Sequence, residues 1–436
     1  MSEYFHSVTL DRDACKGCIT CVKRCPTEAI RVRGGKAKII KERCIDCGEC
    51  IRVCPHHAKR AVTDSLSDLE RFAYTVALPP PSLFGQFNHL EDTEILLDGL
   101  KLMGFDAVYE VSRGAELVSD ATRRLLRAGA LKRPVISSAC PAVLRMIRVR
   151  FPQLIGNILH LRAPVEVAAR LARREAMERT GLSSGEIGVV FLTPCPAKVT
   201  AARSPMGAEA SGIDLTIGVS EIYPPLLAAM NALVKPSPET VSRAGRTGIA
   251  WGRSGGEASA TLHERYLAAD GMENVIKVLE EMEGERLGDV DFVELSACPA
   301  GCVGGVLNIE NPYLAATRLK KLGRYRPVAC SHIDGMPLEE LAWETGVAPA
   351  DVIRLDPSPM VAMEMLGRME EIEKRLYHLD CGSCGAPSCR ALAEDIVRGY
   401  SHEDACIYVL KEKMEAVQGS LTALRLGGFP KKEDLR

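Results

Sequence analysis

Between about Asp64 and Arg368, short apolar runs alternate with longer segments whose apolar residues recur at helical spacing. PVIS (134–137), GVVFL (188–192), TGIAW (247–251) and DFVEL (291–295) read as buried strands, and 164–178 and 116–126 as helices. That alternation predicts an α/β architecture. Residues 359–378 predict a further helix, whose methionines at 360, 363, 365 and 369 form a stripe expected to pack in a core or between domains. From Lys411 to Arg436 the pattern reads as a polar helix, a stop rich in glycine and proline, and charged residues, a tail or partner contact. Ahead of Asp64 the signal is a repeat: CKGCITCVKRCP from Cys15 and CIDCGECIRVCP from Cys44 share the spacing C-x2-C-x2-C-x3-C-P.

Composition narrows the class. The 436 residues are 46% hydrophobic and 26% charged, enough for a large core. Fifty-five basic and 57 acidic residues leave a net charge of −2 with no long basic run, which argues against nucleic acid or an anionic membrane surface as the main partner. The N-terminus MSEYFHSVTLDRDAC lacks a signal-peptide layout. The longest stretch without Asp, Glu, Lys or Arg, 72–90, is interrupted by Pro79, Pro80 and Pro81 and is no membrane span. A cytoplasmic protein is expected, and in a reducing compartment 17 cysteines point to metal rather than disulfides.

Sixteen of the cysteines fall into groups of four. The repeated run is the one that binds two [4Fe-4S] cubanes, the fourth cysteine of each run crossing to the other cluster. One cluster takes Cys15, Cys18, Cys21 and Cys54; the other takes Cys44, Cys47, Cys50 and Cys25. Two zinc ribbons would need paired CxxC knuckles instead. His56 and His57, after the last ligand, are expected on the surface. Three predicted strands run into Cys140, Cys195 and Cys298, and loops beyond strand carboxyl ends converge in α/β sheets. With Cys302 these make a third tetrad. Cys381, Cys384, Cys389 and Cys406 make the fourth, read as another [4Fe-4S] site with a four-cysteine zinc site as the rival. Cys330 stands alone and is expected as a buried thiol beside an unremarkable His332.

SSACPA (137–142), TPCPAK (193–198) and ELSACPAGCVGG (294–305) resemble the three cysteine motifs of the [FeFe]-hydrogenase catalytic domain, in the same order and each after a strand. FPQL (151–154), RGAEL (113–117) and GRSGGEASA (252–260) echo the same family, so the resemblance spans roughly 77–312. The final tetrad resembles the small module at the end of the family's sensory branch. The resemblance implies a hydrogenase catalytic domain of two α/β lobes around the cofactor, preceded by a bacterial ferredoxin-like α+β module and followed by a small helical four-cysteine module. The boundaries expected are 1–63, 64–368 and 369–410, with 411–436 as a tail.

It further implies four [4Fe-4S] clusters, one of them the H-cluster cubane on Cys140, Cys195, Cys298 and Cys302, and a diiron subcluster with CO and CN ligands bridged through Cys302. Lys198 matches the lysine that contacts a cyanide, and Pro81 and Ser82 match a loop over the cofactor. Departures from the pattern bear on rate. Ala139 stands where the proton-relay cysteine is expected and Ala201 where a glutamate is. Thr193 and Ser296 replace methionines, Val165 a glutamine, and GGVLN (304–308) a GGGQP. Losing a positioned acid or base costs about 10²–10⁴-fold in rate, so a slow hydrogenase working as a hydrogen sensor is expected, with Glu110, Glu116, Glu257 and Glu294 as unranked replacements. Its partners are then H2, protons, and a redox protein such as ferredoxin or a separate signalling kinase or phosphatase; a homodimer is compatible. The competing classes are a non-catalytic cluster-assembly or electron-transfer protein lacking the diiron unit, and a subunit of a larger dehydrogenase. GRSGGE gives the latter no GxGxxG or P-loop.

Overall fold

The computed structural model describes residues 5–426. Chain contacts divide it into two compact units, one of Met1–Thr9, Cys44–Arg52 and Lys59–Ala350, the other of Leu10–Arg43, Val53–Ala58 and Asp351–Arg436.

The first unit holds two parallel sheets. One has four strands in the order Ala107–Val108, Tyr74–Leu78, Ile187–Thr193, Leu215–Gly218. The Ile187–Thr193 strand is buried at every residue, as a central strand covered on both faces must be, and hence reads as a continuous apolar run. Its side chains alternate: Val189 and Phe191 pack with Val165, Ala168, Ala169 and Ala172 of the Pro164–Thr180 helix. Val190 and Leu192 enter the opposite core with Leu83, Phe84, Leu96 and Leu226. The other sheet runs Tyr266–Asp270, Phe292–Ser296, Val135–Ile136. The Val111–Ala128 helix contributes Val111 to the first sheet's core, and Leu117, Val118 and Ala121 to the second's, so it lies between the lobes. A proline opens each helix that follows a cysteine strand, at Pro141–Arg150 and Pro196–Arg203, where its missing N–H costs nothing.

One predicted strand is corrected. TGIAW lies in and just after a helix, Arg246–Ala250. A five-residue apolar run does not distinguish strand from buried helix. Here Gly248 presses on the Val111–Ala128 helix, its missing Cβ site 2.4 Å from the Ser112 carbonyl.

The second unit contains an antiparallel hairpin, Ile30–Arg33 with Lys36–Ile39, turned through Gly34 and Gly35 at φ 56° and 70°. Three longer helices follow, Pro359–Arg375, Cys389–Val397 and Ile407–Leu426, around a core of Met369, Ile372, Leu392, Cys406 and Val409. Residues 10–43 are grouped with the C-terminal residues of this unit, which they meet through Arg31 and Asp395, Arg33 and the Cys384 carbonyl, and Val32 and the Gly385 carbonyl. The methionine stripe is not a packed seam: Met360 and Met363 are 80% and 74% exposed, and only Met369 is buried. The tail begins as the helix Ile407–Leu426, while the stop and charged residues at 427–436 lie outside the described residues. Among the described residues no helix is long and apolar enough to cross a membrane.

Candidate functional site

The first unit's strands deliver their cysteines to one place. Cys140 and Cys195 are the N-caps of the Pro141–Arg150 and Pro196–Arg203 helices, whose N-termini favour anionic groups. The Phe292–Ser296 strand leads into Cys298 and a tight loop through Ala300 and Gly301, at φ 60° and 87°. Gly301 leaves no room for a Cβ, which would stand 2.5 Å from the Ser254 nitrogen. Main-chain bonds from Ser254 to Ala300 (2.9 Å), Val303 to Gly252 (2.9 Å) and Leu307 to Pro194 (3.0 Å) tie the loops together.

Burial pushes the Cys195 thiol up to about 11, against the opposing pull of Lys198, and raises Cys298 well above the ordinary thiol range, with the charges of Cys140 and Cys302 acting on both. The four sulfurs therefore share one electrostatic neighbourhood. Burial works against the Lys198 ammonium, but Cys302, Cys195 and Cys140 outweigh it and hold the charge. Lys198 Nζ lies 3.5 Å from Cys302 Sγ.

Beside these sulfurs opens a cavity with about 660 Å³ of space between atoms, part of it reaching solvent. Pro81, Ser82, Ala139, Cys140, Lys198 and Cys302 line it, together with Trp251, Glu257, Glu294 and Ser296. Ser82 is fully buried, and its hydroxyl has no hydrogen-bond partner among the described residues. A partnerless buried hydroxyl costs free energy unless a ligand satisfies it. Soft thiolates, a held ammonium and an unsatisfied hydroxyl around one cavity fit an anionic iron–sulfur cofactor, whose binding displaces the thiol protons.

The four glutamates separate by environment. Glu110 and Glu116 clamp main chain: Glu110 accepts from Ser242 Oγ (2.7 Å) and Arg243 N (2.7 Å), and Glu116 from Gly245 N (2.5 Å), Cys330 N and Ser331 N (2.7 Å each). Glu257 and Glu294 line the cavity. Burial lifts both well above the usual carboxylate range, and Glu294's charge lifts Glu257 further. Ser137 Oγ donates to Glu257 Oε2 at 2.6 Å and accepts from Ala139 N at 3.1 Å. Sequence reasoning missed Ser137 and Trp251, although both lie within or beside quoted motifs.

In the second unit, Ala58 N donates to Cys54 Sγ (3.3 Å) and Ala37 N to Cys15 Sγ (3.5 Å). The repeat-equivalent of the first is Ala29 N to Cys25 Sγ (3.2 Å). Such N–H···S bonds orient cluster ligands and tune potential. Cys15, Cys18, Cys21, Cys25 and Cys54 belong to the second unit; Cys44, Cys47 and Cys50 belong to the first. The C-terminal loop is fixed by Cys389 N to Asp380 Oδ1 (2.6 Å) and Gly385 N to Gly382 O (2.7 Å), with Cys384 and Cys389 packed on the core that holds Cys406. His56 and His57 are exposed. Cys330 is exposed rather than buried, because Glu116 pins its main chain on a surface loop.

Comparison with known proteins agrees with this geometry. The family model "Iron only hydrogenase large subunit, C-terminal domain" matches residues 73–306, more than half of the chain. The chain belongs to that family. A 4Fe-4S dicluster domain matches residues 7–55, and the family model "Putative Fe-S cluster" matches residues 377–408. The chain is 26% identical to the periplasmic [Fe] hydrogenase large subunit of Nitratidesulfovibrio vulgaris, over 69% of this chain and 86% of that one. It is 23% identical to iron hydrogenase 1 of Clostridium pasteurianum, over 70% and 65% respectively. It is 24% identical to the NADP-reducing hydrogenase subunit HndD of Solidesulfovibrio fructosivorans, over 47% and 44%. A solved [FeFe]-hydrogenase, studied for oxygen damage to the H cluster 2Fe subcluster, superposes with a TM-score of 0.50 at 18% identity, covering 66% of this chain and 97% of that one. The chain is thus a hydrogenase-like iron–sulfur protein with the [FeFe]-hydrogenase fold, a dicluster module and a C-terminal Fe-S domain.

Where this chain departs from the expected motifs, three of the altered residues, Ala139, Val165 and Ser296, line the cavity itself. Thr193 is fully buried and turns inward, donating to the Cys195 carbonyl at 3.0 Å.

Proposed function

We propose that the chain is a sensory-branch [FeFe]-hydrogenase that takes up dihydrogen slowly and passes its two electrons to a partner. Cys140, Cys195, Cys298 and Cys302 would hold the cubane of the H-cluster, and Cys302, Lys198, Pro81 and Ser82 would hold the diiron subcluster with its CO and CN ligands. When bound, that group supplies the redox-active metal position at which the H–H bond is broken. The observation that carries the reading is Lys198 Nζ at 3.5 Å from Cys302 Sγ, on the cavity where the Ser82 hydroxyl lacks a partner.

The chain's own residues then account for slowness. H2 yields two protons and two electrons, and Ala139 holds no exchangeable side-chain proton. The carboxyl of Glu257, on the same cavity and fixed by Ser137, is the group best placed to hold one, with Glu294 as its neighbour. Glu110 and Glu116 are spent on main-chain hydrogen bonds. Electrons would leave through the [4Fe-4S] clusters of the two cysteine runs and the C-terminal tetrad, three cubanes that with that of the H-cluster make four, towards a ferredoxin-type acceptor or a signalling kinase or phosphatase.

The test is infrared spectroscopy of protein matured with a synthetic diiron cofactor, under argon and then under hydrogen. Carbonyl and cyanide bands that change with the gas support the reading. No bands, with the cubanes loaded, sink it and leave an electron-transfer or cluster-assembly protein on a hydrogenase fold.

A further inference from the structure

The two halves of the cysteine repeat present equivalent positions to different cysteine loops. In the second half, the residue after the second cysteine is Gly48, whose missing Cβ site lies 2.6 Å from Val306 and 3.1 Å from Pro196, next to Cys195. Two residues after the third cysteine comes Arg52, which donates from Nη2 to the Gly304 carbonyl at 2.7 Å, two residues beyond Cys302. This half abuts the tetrad at the cavity.

In the first half the matching positions are Ile19 and Lys23, and they meet the C-terminal tetrad. A Cβ at Gly382, between Cys381 and Cys384, would stand 3.1 Å from Ile19 Cδ1 and 3.3 Å from Lys23 Cε. Lys23 Nζ donates to the carbonyls of Pro387, at 2.7 Å, and Asp380, so one ammonium ties the residue before the CGSCGAPSC loop to one near its end. Val32 N donates to Gly385 O at 2.8 Å, and Arg33 Nη1 to the Cys384 carbonyl at 2.9 Å. Behind the loop, Arg31 and Arg33 both bind Asp395, at 2.7 and 2.6 Å, and Arg43 pairs with Glu394. Arg31 and Asp395 are each 5% exposed at the side chain. Buried ion pairs of this kind add little net stability but fix one geometry. Charged groups placed beside cluster ligands also tune reduction potential.

We propose that the C-terminal four-cysteine module is the outer terminal of the electron chain, docked on the Cys15–Cys21 run with Lys23 as its positioning residue. The inference rests on the reading that these tetrads carry [4Fe-4S] clusters. The repeat thereby serves as a two-sided connector. Arg52 meets the loop that follows Cys302, Lys23 meets the loop that carries Cys381 and Cys384, and electron tunnelling falls steeply with separation. Lys23 itself is exposed, so substituting it leaves the core intact.

Three forms of the full-length holoprotein test this: wild type, Lys23→Met and Lys23→Arg. Each is titrated with reductant and followed by electron paramagnetic resonance, after iron and sulfide analysis. The expected result is a magnetically interacting pair of clusters in wild type and Lys23→Arg. In Lys23→Met the interaction weakens and the C-terminal cluster becomes harder to reduce, having lost a neighbouring cation. Identical spectra and potentials in wild type and Lys23→Met, with all clusters loaded, overturn the junction. Wild type lacking a C-terminal iron–sulfur signal overturns the cluster assignment beneath it, a different failure that the iron analysis identifies. Asp395→Asn, which loosens the same docking without touching Lys23, should weaken the interaction too; an unchanged interaction there counts against the docking.

Discussion

Ser137 donates its hydroxyl to Glu257 at 2.6 Å and accepts the N–H of Ala139 at 3.1 Å, so the residue unable to relay a proton is tied through one hydroxyl to a carboxyl that can. Removing that carboxyl should abolish what proton transfer remains. Glu257→Gln is expected to lower hydrogen oxidation and evolution by roughly 10²–10⁴-fold, the usual worth of a positioned acid or base. Iron content should not change. Glu116→Gln is the comparison: it disturbs three main-chain donors and is not among the residues lining the cavity, and should weaken folding while leaving the rate per loaded site within a few-fold. Equal losses in both variants would show that Glu257 acts only through structure.

The same carboxyls make stability depend on pH in an unusual direction. Glu257 is pushed up to about 8 and Glu294 to about 7, mainly by burial, from an ordinary 4.5. Between about pH 4.5 and 8 the folded chain therefore binds more protons than the unfolded one, and stability falls as pH rises through that window. Glu257→Gln removes its share of the penalty. Its unfolding temperature relative to wild type should be higher at pH 8.5 than at pH 5. A gap that is constant with pH would mean that Glu257 is ionised in the folded protein.

Much of this site is legible in the sequence because cluster ligands must come in fixed local spacings, as the runs from Cys15 and Cys44 do. Strands ending at Cys140, Cys195 and Cys298 are legible for the same local reason. What stays hidden depends on distant partners. Glu110 and Glu116 look no different from Glu257 until Ser242, Gly245 and Cys330, more than 120 residues away, are seen to claim them. Cys330, a lone cysteine, reads as a buried thiol, yet its loop is held at the surface by that same Glu116. TGIAW fails on length alone. The Lys23–Arg52 equivalence was readable from the repeat, but its meaning required knowing that different loops lie opposite each half.

Lys198 carries the sharpest single-residue expectation for cofactor retention. Its ammonium is favoured by the neighbouring sulfurs of Cys302, Cys195 and Cys140 and sits 3.5 Å from Cys302 Sγ. Lys198→Met should leave cubane signals in place while carbonyl and cyanide infrared bands are lost or sharply reduced after maturation. Lys198→Arg should not restore them, because a planar guanidinium cannot occupy the place of a compact point charge. Full-intensity bands in Lys198→Met would remove this residue from the cofactor's binding set.

Asp395 is shared by two arginines in a buried setting, with side chains of Arg31 and Asp395 each 5% exposed. Asp395→Asn leaves Arg31 without its counter-charge, a change that typically costs about 3–5 kcal/mol. The loss should appear as earlier unfolding of the C-terminal module and faster proteolysis within 351–410, while the cavity tetrad keeps its iron. A single unshifted unfolding transition would show that the pair contributes nothing measurable to holding the module.

Cysteine replacement separates ligands from bystanders. Cys330 lies on the surface and belongs to no tetrad; its main-chain N–H is engaged by Glu116. Cys406 is buried in the same core as Cys384 and Cys389, just before the Ile407–Leu426 helix. Cys330→Ser is therefore expected to retain the full iron complement and unchanged cluster spectra. Cys406→Ser should lose one cubane's share of iron, or convert it to a form with altered spectra, and leave the other three intact. Thiolate ligation is what distinguishes the two, since serine preserves size and hydrogen bonding but not soft donation to iron. If iron fell in Cys330→Ser and held in Cys406→Ser, the C-terminal tetrad would have to be redrawn around Cys330, and with it the terminal end of the electron chain.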